Sequence, residues 1–293
     1  MSARISLEVD PTNLQDVENN IKKSRVFRNM RSISSPASAA PGVILEWWHK
    51  RKNVGDALSP LIVSWMKEQL GLGEPRDPKR RIHLMAVGSL IGMQDFDAVI
   101  WGSGLHCLDT VTKLNAHRDY VRYDIRAVRG PITAFLLRSA GYDCPEVYGD
   151  PAILMPLIYK SAVTEKKYPV SVICHIDSAE AKVQDGLHQI SAADDDIGKF
   201  IDEITASELV ISSSLHGIIL SEVYGVPAVY LMEGTENQRM KYYDWYFSTG
   251  RYSVRAAANI EEALKAQPMP IPDFAAMREA IMRAFPSDLY RKG

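Results

Sequence analysis

Two successive series of short apolar segments, each separated by stretches with helical spacing, limit what this chain can fold into. The apolar segments of the first series each end in a glycine or polar turn, and they cover Val43–Trp48, Leu84–Val87, Ala98–Trp101 and Ile125–Val128. Such alternation is typical of a parallel sheet with crossover helices. The sequence therefore predicts an α/β fold.

Helical spacing and helix-ending residues identify the intervening helices. Ala57–Leu70 has apolar residues at helical spacing and is followed by Gly71, and Pro131–Ala140 has proline in its first turn and Gly141 after its end. The second series predicts strands at Val170–Ile176, His188–Ser191, Glu208–Ile211 and Pro227–Leu231, with helices at Asp195–Ala206, Leu215–Tyr224 and Asp273–Phe285.

The segment Tyr159–Pro169 has neither pattern and separates the two series. We therefore predict two Rossmann-like domains, over residues 41–160 and 168–293, with a cleft between them; the alternative at this length is one large α/β domain. Residues 1–40 are polar, end in a turn-prone serine and proline run, and are predicted to form a separate arm. Ligands of open parallel sheets bind at the carboxyl ends of the strands, so the loops after the strands are where a site is expected.

Composition excludes several classes of protein. The formal net charge of −2 gives no global reason to expect nucleic-acid binding. Three cysteines at wide spacing indicate reduced thiols rather than a metal cage. No apolar run approaches the length of a membrane span, and the N-terminus does not read as a secretory signal. We expect a cytoplasmic protein without a metal site.

The segment from Leu209 to Ile219 is the most informative. An apolar strand runs into Ser212, Ser213 and Ser214, which can cap a helix whose first turn contains His216. A helix N-terminus favours a phosphate or carboxylate, and a histidine there adds a proton that titrates near neutral pH. The alternative is that the serines only cap the helix while His216 fills a polar corner of the core.

Several segments together resemble the polysaccharide pyruvyl transferase family. They fall in the same order along the chain and lie at residues 47–56, 100–104, 126–131, 147–154 and 209–219. The resemblance implies a GT-B-like pair of domains, with an acceptor side in the first and a donor side in the second. It also implies that the last helix crosses back onto the first domain.

The same resemblance implies phosphoenolpyruvate as the donor substrate, no cofactor, and a glycan or lipid-linked oligosaccharide as acceptor. It places His216 and Arg129 in the donor site and the loop of Asp56 at the cleft. For catalysis we expect His216 to act as general acid and Asp56 to act on the acceptor side, as a base or as a hydrogen-bond partner of the sugar. The residues expected to contact substrate are Arg129, Ser213, Ser214, Leu215, Asn53, Gly55, Gly102, Ser103, Gly104 and Lys241.

Several of these residues also have a purely structural explanation. A basic residue can precede the Leu-His pair in the family, but this chain has Ser214 there, so another cation is needed, with Arg239, Lys241 and Arg251 as candidates. Asp56 reads equally as the N-cap of a helix, and the Gly102–Gly104 turn can be only a tight turn. Asp150, followed by proline, is explained by capping alone.

The basic run at residues 49–52 could attract an acidic glycan or a diphosphate-linked lipid at a membrane surface, although an exposed loop is the commoner origin. Two rival functions stay open. One is a nucleotide-sugar glycosyltransferase that uses the same cleft, and the other is a glycan-binding protein without catalysis.

Overall fold

The computed structural model describes residues 42–178, 186–233 and 236–293, so the arm predicted over residues 1–40 lies outside the described residues. The first half of the chain contains β1 (Gly42–Glu46), α1 (Val54–Gln69), β2 (Leu72–Pro75), β3 (Arg81–Met85), β4 (Ala98–Trp101), α2 (Thr110–His117), β5 (Tyr123–Ala127) and α3 (Pro131–Ser139). Four of these strands form a parallel sheet in the order β1-β3-β4-β5.

The second half forms a five-stranded parallel sheet in the order β10-β9-β8-β6-β7. It follows a 3-10 turn at Pro151–Leu154 and a short helix α4 (Met155–Ile158). Its elements are β6 (Tyr168–Ile173), a 3-10 turn (Ile176–Ser178), β7 (His188–Gln189), α5 (Ile197–Thr205), β8 (Ser207–Ser212), α6 (Leu215–Val223), β9 (Ala228–Leu231), α7 (Glu236–Ser248), β10 (Ala256–Ala257) and α8 (Ile260–Lys265).

The chain then returns to the first half. Helix α9 (Ala275–Arg283) brings the carbonyl of Ile281 to the indole Nε1 of Trp101, which donates a hydrogen bond of 2.8 Å. After a 3-10 turn at Ser287–Leu289, strand β11 (Tyr290–Lys292) pairs antiparallel with β2. The C-terminal segment is therefore part of the structure around the first sheet.

Parallel sheets with crossover helices confirm the predicted α/β class. Residues between α4 and β6, where the sequence predicts a boundary, contain neither helix nor strand. One buried apolar cluster nevertheless includes residues from both halves, among them Leu58, Trp101, Ile218 and Trp245. The division into two domains and the GT-B-like arrangement stay predictions.

The start of helix α1 differs from the sequence prediction. The helix begins at Val54 rather than Ala57, and its N-cap is Asn53, whose side-chain oxygen accepts a 3.1 Å hydrogen bond from the backbone N–H of Gly55. Asp56 is therefore in the first helical turn, and the prediction that it caps the helix is wrong. Asn53 is the cap instead, and its amide also donates a 2.7 Å hydrogen bond to Asp56 Oδ2, which holds both side chains at the start of the helix.

Candidate functional site

A cavity of about 270 Å³ lies at the carboxyl ends of strands from both sheets. The loops after β1, β3 and β4 contribute one part of its wall, and those after β6 and β8 contribute another, together with Lys241 from α7. The lining residues are Trp48, Arg51, Asn53, Asp56, Gly88, Ser89, Leu90, Met93, His106, His175, Ile176, Asp177, Ser214, Leu215, His216 and Lys241.

Two helix N-termini open onto this cavity. Asn53 caps the 16-residue helix α1, and Ser214 caps α6 by accepting a 3.4 Å hydrogen bond from the backbone N–H of Gly217. Both caps line the cavity. Because helix N-termini carry partial positive charge and unpaired N–H groups, they favour an anionic ligand between them.

His216 is fixed between a backbone and a carboxylate. Its Nε2 lies 3.5 Å from Oδ2 of Asp150, whose side chain is fully buried. Its Nδ1 lies so close to Gly55 that a Cβ at residue 55 would be 2.0 Å away. Only glycine leaves room for the imidazole there, so Gly55 packs against the ring of His216 and does not line the cavity.

Asp150 serves two purposes with its two oxygens. Oδ1 accepts a 3.0 Å hydrogen bond from the backbone N–H of Ala152, which caps the 3-10 turn. Among the described residues, Oδ2 has no hydrogen-bond partner, and neither does Nε2 of His216. Buried polar atoms are normally hydrogen-bonded. The two atoms face each other at 3.5 Å, so the carboxylate orients the imidazole and pairs with it when the ring is protonated.

Burial shifts the pKa values of the two ionisable side chains from α1 and α7. Loss of solvent raises the pKa of Asp56 to about 6, and it does so against the opposing charges of His216 and Lys241. Loss of solvent, followed by repulsion from Arg129, lowers the pKa of Lys241 to about 8. Both groups are thus able to exchange protons close to neutral pH, which is typical of functional sites.

Six predicted site residues line the cavity together, and they are Asn53, Asp56, Ser214, Leu215, His216 and Lys241. Of the three candidate cations, Lys241 is the one that lines it. Arg251 instead pairs with Glu222 at 2.6 Å, and Arg239 is not among the lining residues. The charge that this chain lacks at Ser214 is thus available from Lys241.

Ser213, Gly102, Ser103 and Gly104 lie behind the cavity wall. The Ser213 hydroxyl accepts a 2.8 Å hydrogen bond from the backbone N–H of His175 and donates to Glu233. The Ser103 hydroxyl donates to the carbonyl of Gly88 at 2.9 Å, and Gly102 packs against the ring of Pro151. These residues position the loops that carry the lining side chains.

Arg129 is fully buried and its hydrogen bonds go to protein partners. Nε donates to Asp244 at 3.1 Å, one terminal nitrogen donates to Ser89 at 2.7 Å, and the other donates to the carbonyl of Leu105 at 2.8 Å. A Cβ at Gly104 would lie 2.4 Å from the guanidinium carbon. Arg129 is not among the residues lining the cavity, so direct contact with a ligand stays a prediction.

The sequence prediction did not select Trp48, Arg51, His106, His175 or Asp177 as site residues. His175 and Asp177 follow β6 directly, so their position at the carboxyl end of a predicted strand was the available signal. Arg51 pairs with Asp177, and Lys52 lies 2.9 Å from Asp195. Two cations of the basic run therefore bridge the two halves rather than project as a free charged loop.

A larger cavity of about 510 Å³ lies beside residues 158–168 and helix α5. Three carboxylates line it, Asp196, Asp202 and Glu203, and Asp202 is already bonded to the hydroxyls of Tyr159 and Ser161, at 2.8 and 2.6 Å. None of the described residues that line it is a histidine. It offers no counterpart of the His216 arrangement, so we place the site in the smaller cavity.

Within residues 42–178, 186–233 and 236–293, no three His, Cys, Asp or Glu side chains come together in a group that could hold a metal ion. No helix in those ranges has the length and apolarity needed to cross a membrane.

Comparison with known proteins adds independent information. A mimivirus protein, uncharacterized protein L143 of Acanthamoeba polyphaga mimivirus, is 28% identical over 175 residues, which cover 56% of this chain and 58% of that protein. The succinoglycan biosynthesis protein ExoV of Rhizobium meliloti is 30% identical over 139 residues, which cover 45% of this chain and 42% of that protein. The chain therefore spans about half the length of these relatives.

A functionally uncharacterised protein of Klebsiella pneumoniae gives a TM-score of 0.49 at 12% identity, covering 86% of this chain and 100% of that one. The family model for polysaccharide pyruvyl transferase matches residues 53–233, which include Asn53, Asp56, Asp150 and His216 and make up more than half of the sequence. The chain belongs to the polysaccharide pyruvyl transferase family.

Proposed function

We propose that this protein transfers a pyruvyl group from phosphoenolpyruvate to a pair of hydroxyls on a sugar, forming a cyclic ketal during the synthesis of an exopolysaccharide or another cell-surface glycan. The observation that carries the proposal is the position of His216, which lines a cavity that also receives two helix N-termini and faces the buried carboxylate of Asp150. A family relative named for succinoglycan biosynthesis supports a polysaccharide as the acceptor.

Phosphoenolpyruvate carries a phosphate and a carboxylate, and the cavity has groups suited to both. The N-termini of α1 and α6 provide partial positive charge, Arg51 adds a cationic side chain to the wall, and Lys241 adds a second one in its ammonium form. The buried guanidinium of Arg129 adds positive potential from behind Ser89. In this proposal the donor lies close to α6, on the second half of the chain.

His216 would act as the general acid. Ketal formation starts when the C3 methylene of phosphoenolpyruvate receives a proton, which leaves positive charge at C2 for a hydroxyl to attack. A protonated His216 supplies that proton, while Asp150 orients the ring and balances its charge from 3.5 Å away. Positioned acids of this kind contribute roughly 10² to 10⁴-fold in rate.

The acceptor would enter from the side of β1 and α1. Asn53 and Asp56 offer hydrogen-bonding groups there, and the indole of Trp48 is partly exposed in the same wall. Asp56 is suited to accept a hydrogen bond from a sugar hydroxyl, because its buried carboxylate is partnered by the Asn53 amide on one oxygen. We assign it to acceptor orientation.

A donor screen by thermal unfolding tests this function. A ligand at about 100 times its dissociation constant stabilises the folded protein by about 2.7 kcal/mol, which raises the midpoint of a chain of this size by about 5 °C or more. We expect phosphoenolpyruvate to give this shift and nucleotide sugars to give none. A shift with a nucleotide sugar alone would indicate a glycosyltransferase, and a shift with glycans alone would indicate a binding protein.

Transfer itself is measured as phosphate release from phosphoenolpyruvate in the presence of a panel of methyl pyranosides and oligosaccharides, with the product identified by mass. Phosphate release that depends on a sugar and yields a sugar heavier by one pyruvyl ketal supports the proposal. Binding of phosphoenolpyruvate without a ketal product from any sugar of the panel would contradict it.

A further inference from the structure

A second group of titratable side chains lines the same cavity and is not used by the His216 chemistry. Lys241 on α7 places its Nζ 3.2 Å from Nε2 of His175, which follows β6. Nδ1 of His175 lies 3.5 Å from Oδ2 of Asp177 and 3.3 Å from the Asp177 backbone N–H. Asp177 in turn pairs with Arg51. The four residues form a line from a buried amine to an exposed ion pair.

The hydrogen-bonding capacities of this line allow two states that differ by one proton. When Lys241 is an ammonium it donates to Nε2, so a neutral imidazole carries its hydrogen on Nδ1, facing the Asp177 carboxylate. When Lys241 is a neutral amine it can accept from Nε2–H, and Nδ1 then accepts the backbone N–H of Asp177. Loss of one proton from Lys241 therefore switches the tautomer of His175, and both ring nitrogens keep a hydrogen-bond partner in either state.

The surroundings of Lys241 make this proton exchangeable. Its side chain is almost fully buried, with 8% exposure, and burial lowers its pKa to about 8. Charged and titratable groups face it from several elements. They are Arg129 after β5, Asp56 on α1, His106 after β4, His175 and Asp177 after β6, and Glu233 after β9.

We propose that Lys241, held by His175 and Asp177, is a second proton-transfer group that takes the proton of the attacking sugar hydroxyl and returns it to the departing phosphate. This inference rests on the proposed pyruvyl transfer. It assigns Lys241 as a catalytic residue, with His175 and Asp177 as the residues that position it.

The protons of the reaction balance with the two groups. His216 gives its proton to C3, and the first hydroxyl oxygen bonds to C2 while its proton passes to Lys241. The C2–O bond to phosphate then breaks as the second hydroxyl oxygen bonds to C2. The proton of that second hydroxyl restores His216, and Lys241 gives its proton to the phosphate. Both groups return to their starting states, and no further reactant is needed.

The variant Lys241→Arg tests the proposal, because arginine keeps the positive charge but stays protonated. We expect phosphoenolpyruvate to bind within a few-fold of the wild-type affinity by calorimetry, while kcat falls by roughly 10²-fold or more. The rising limb of the kcat–pH profile should disappear in Lys241→Arg and shift along the pH axis in His175→Gln. Lys265→Arg, on an exposed helix face, is the control and should change neither quantity.

A titration of the free protein supplies a readout that needs no turnover. With ¹³C-labelled lysine, the Lys241 signal, identified by its loss in Lys241→Arg, should titrate near pH 8, and His175→Gln should move that titration. An ordinary lysine titration would overturn the proposal. So would a folded Lys241→Arg protein that keeps its kcat and rising limb, even with a raised KM for phosphoenolpyruvate. Absence of any transfer by the wild-type protein would contradict the pyruvyl transferase function instead, which the lysine titration does not depend on.

Discussion

Two buried polar clusters of this protein contain an ion pair or its equivalent, but they differ in how completely their groups are bonded. In the arginine cluster, Asp244 accepts from Arg129, from the Thr133 hydroxyl at 2.7 Å and from the Thr133 backbone N–H at 3.0 Å. In the histidine cluster, His216 and Asp150 face each other at 3.5 Å with an oxygen and a nitrogen that have no partner among the described residues.

This difference distinguishes a cluster that stabilises the fold from one that can take part in the reaction. A buried charge whose hydrogen bonds all go to protein groups fixes the fold around it, and its removal leaves an uncompensated partner. A histidine that lines a cavity and is backed by a single carboxylate can instead exchange a proton with a bound ligand. Both clusters lie in segments that the sequence marked as site candidates, so the hydrogen-bond partners rather than the motifs distinguish them.

The largest change in activity is expected from His216→Ala, which tests the histidine cluster. We expect kcat for phosphate release to fall by roughly 10² to 10⁴-fold while the protein stays folded with a lower thermal midpoint, because the buried Asp150 carboxylate loses the imidazole but keeps its hydrogen bond from the Ala152 backbone N–H. His188→Gln, which alters a histidine stacked on Tyr168 away from the cavity, is the control. A correctly folded His216→Ala protein with wild-type turnover would exclude the residue from catalysis.

The opposite pattern is expected for Arg129→Ala. Removing the guanidinium leaves the buried Asp244 carboxylate with only Thr133 as partner, which should lower the free energy of unfolding by about 3 to 5 kcal/mol. Denaturant unfolding measures this, with Arg138→Ala on the more exposed face of α3 as the control. Unchanged stability together with a lost affinity for phosphoenolpyruvate would place Arg129 with the donor, as the sequence resemblance implies.

Gly55→Ala tests whether the close packing of Gly55 against the His216 ring is needed for turnover. Alanine normally stabilises a helix by up to about 1 kcal/mol relative to glycine, but here its Cβ would lie 2.0 Å from Nδ1 of His216. We expect the ring to be displaced and kcat to fall by about 10²-fold, as for a misplacement of about 1 Å. Gly73→Ala, where the nearest atom would be 3.6 Å away, is the control and should leave kcat unchanged.

Asp56→Asn should change the pH dependence of stability. With its pKa raised to about 6, Asp56 holds a proton in the folded state, between about pH 4 and 6, that the unfolded chain has released. The carboxyl therefore lowers the free energy of unfolding by about 3 kcal/mol as the pH rises through that window.

Asparagine removes this loss, so Asp56→Asn should gain stability relative to wild type on going from pH 4 to pH 7. Denaturant unfolding at both values measures the gain, and the exposed Asp119→Asn is the control. An equal difference between variant and wild type at the two pH values would show that burial does not hold a proton on Asp56.

Sequence patterns predicted the regular elements because those depend on local spacing. Strand β4 matches its prediction residue for residue, and α3 and α6 each differ by one residue at the end. The start of α1 could not be placed from the sequence, because Asp56 and Asn53 are both good caps and the hydrogen bonds that make Asn53 the cap are visible only in the structure. Strands β2 and β11 are too short to show a periodic pattern, and their pairing joins segments from opposite ends of the described chain.

The site was predictable in part for the same reason. His216 follows a strand and capping serines, which are local signals, whereas the destination of Arg129 depends on Asp244, more than a hundred residues later. His175 and Asp177 carry no motif, and they matter because β6 lies next to β8 in the sheet. Their position after a predicted strand was a sequence signal, but only the strand order shows that they lie beside His216 in the same cavity.

The pairing of β2 with β11 also sets an order of events during synthesis. Strands β1 to β5 leave the ribosome long before β11, so Trp101 and strand β2 must wait for residues 281–292 before they gain these contacts. Contacts between such distant segments are slow to form, because a long loop must close first. During that interval the nascent first half of the chain presents an indole and an unpaired strand, which are the features that molecular chaperones and aggregating partners both recognise.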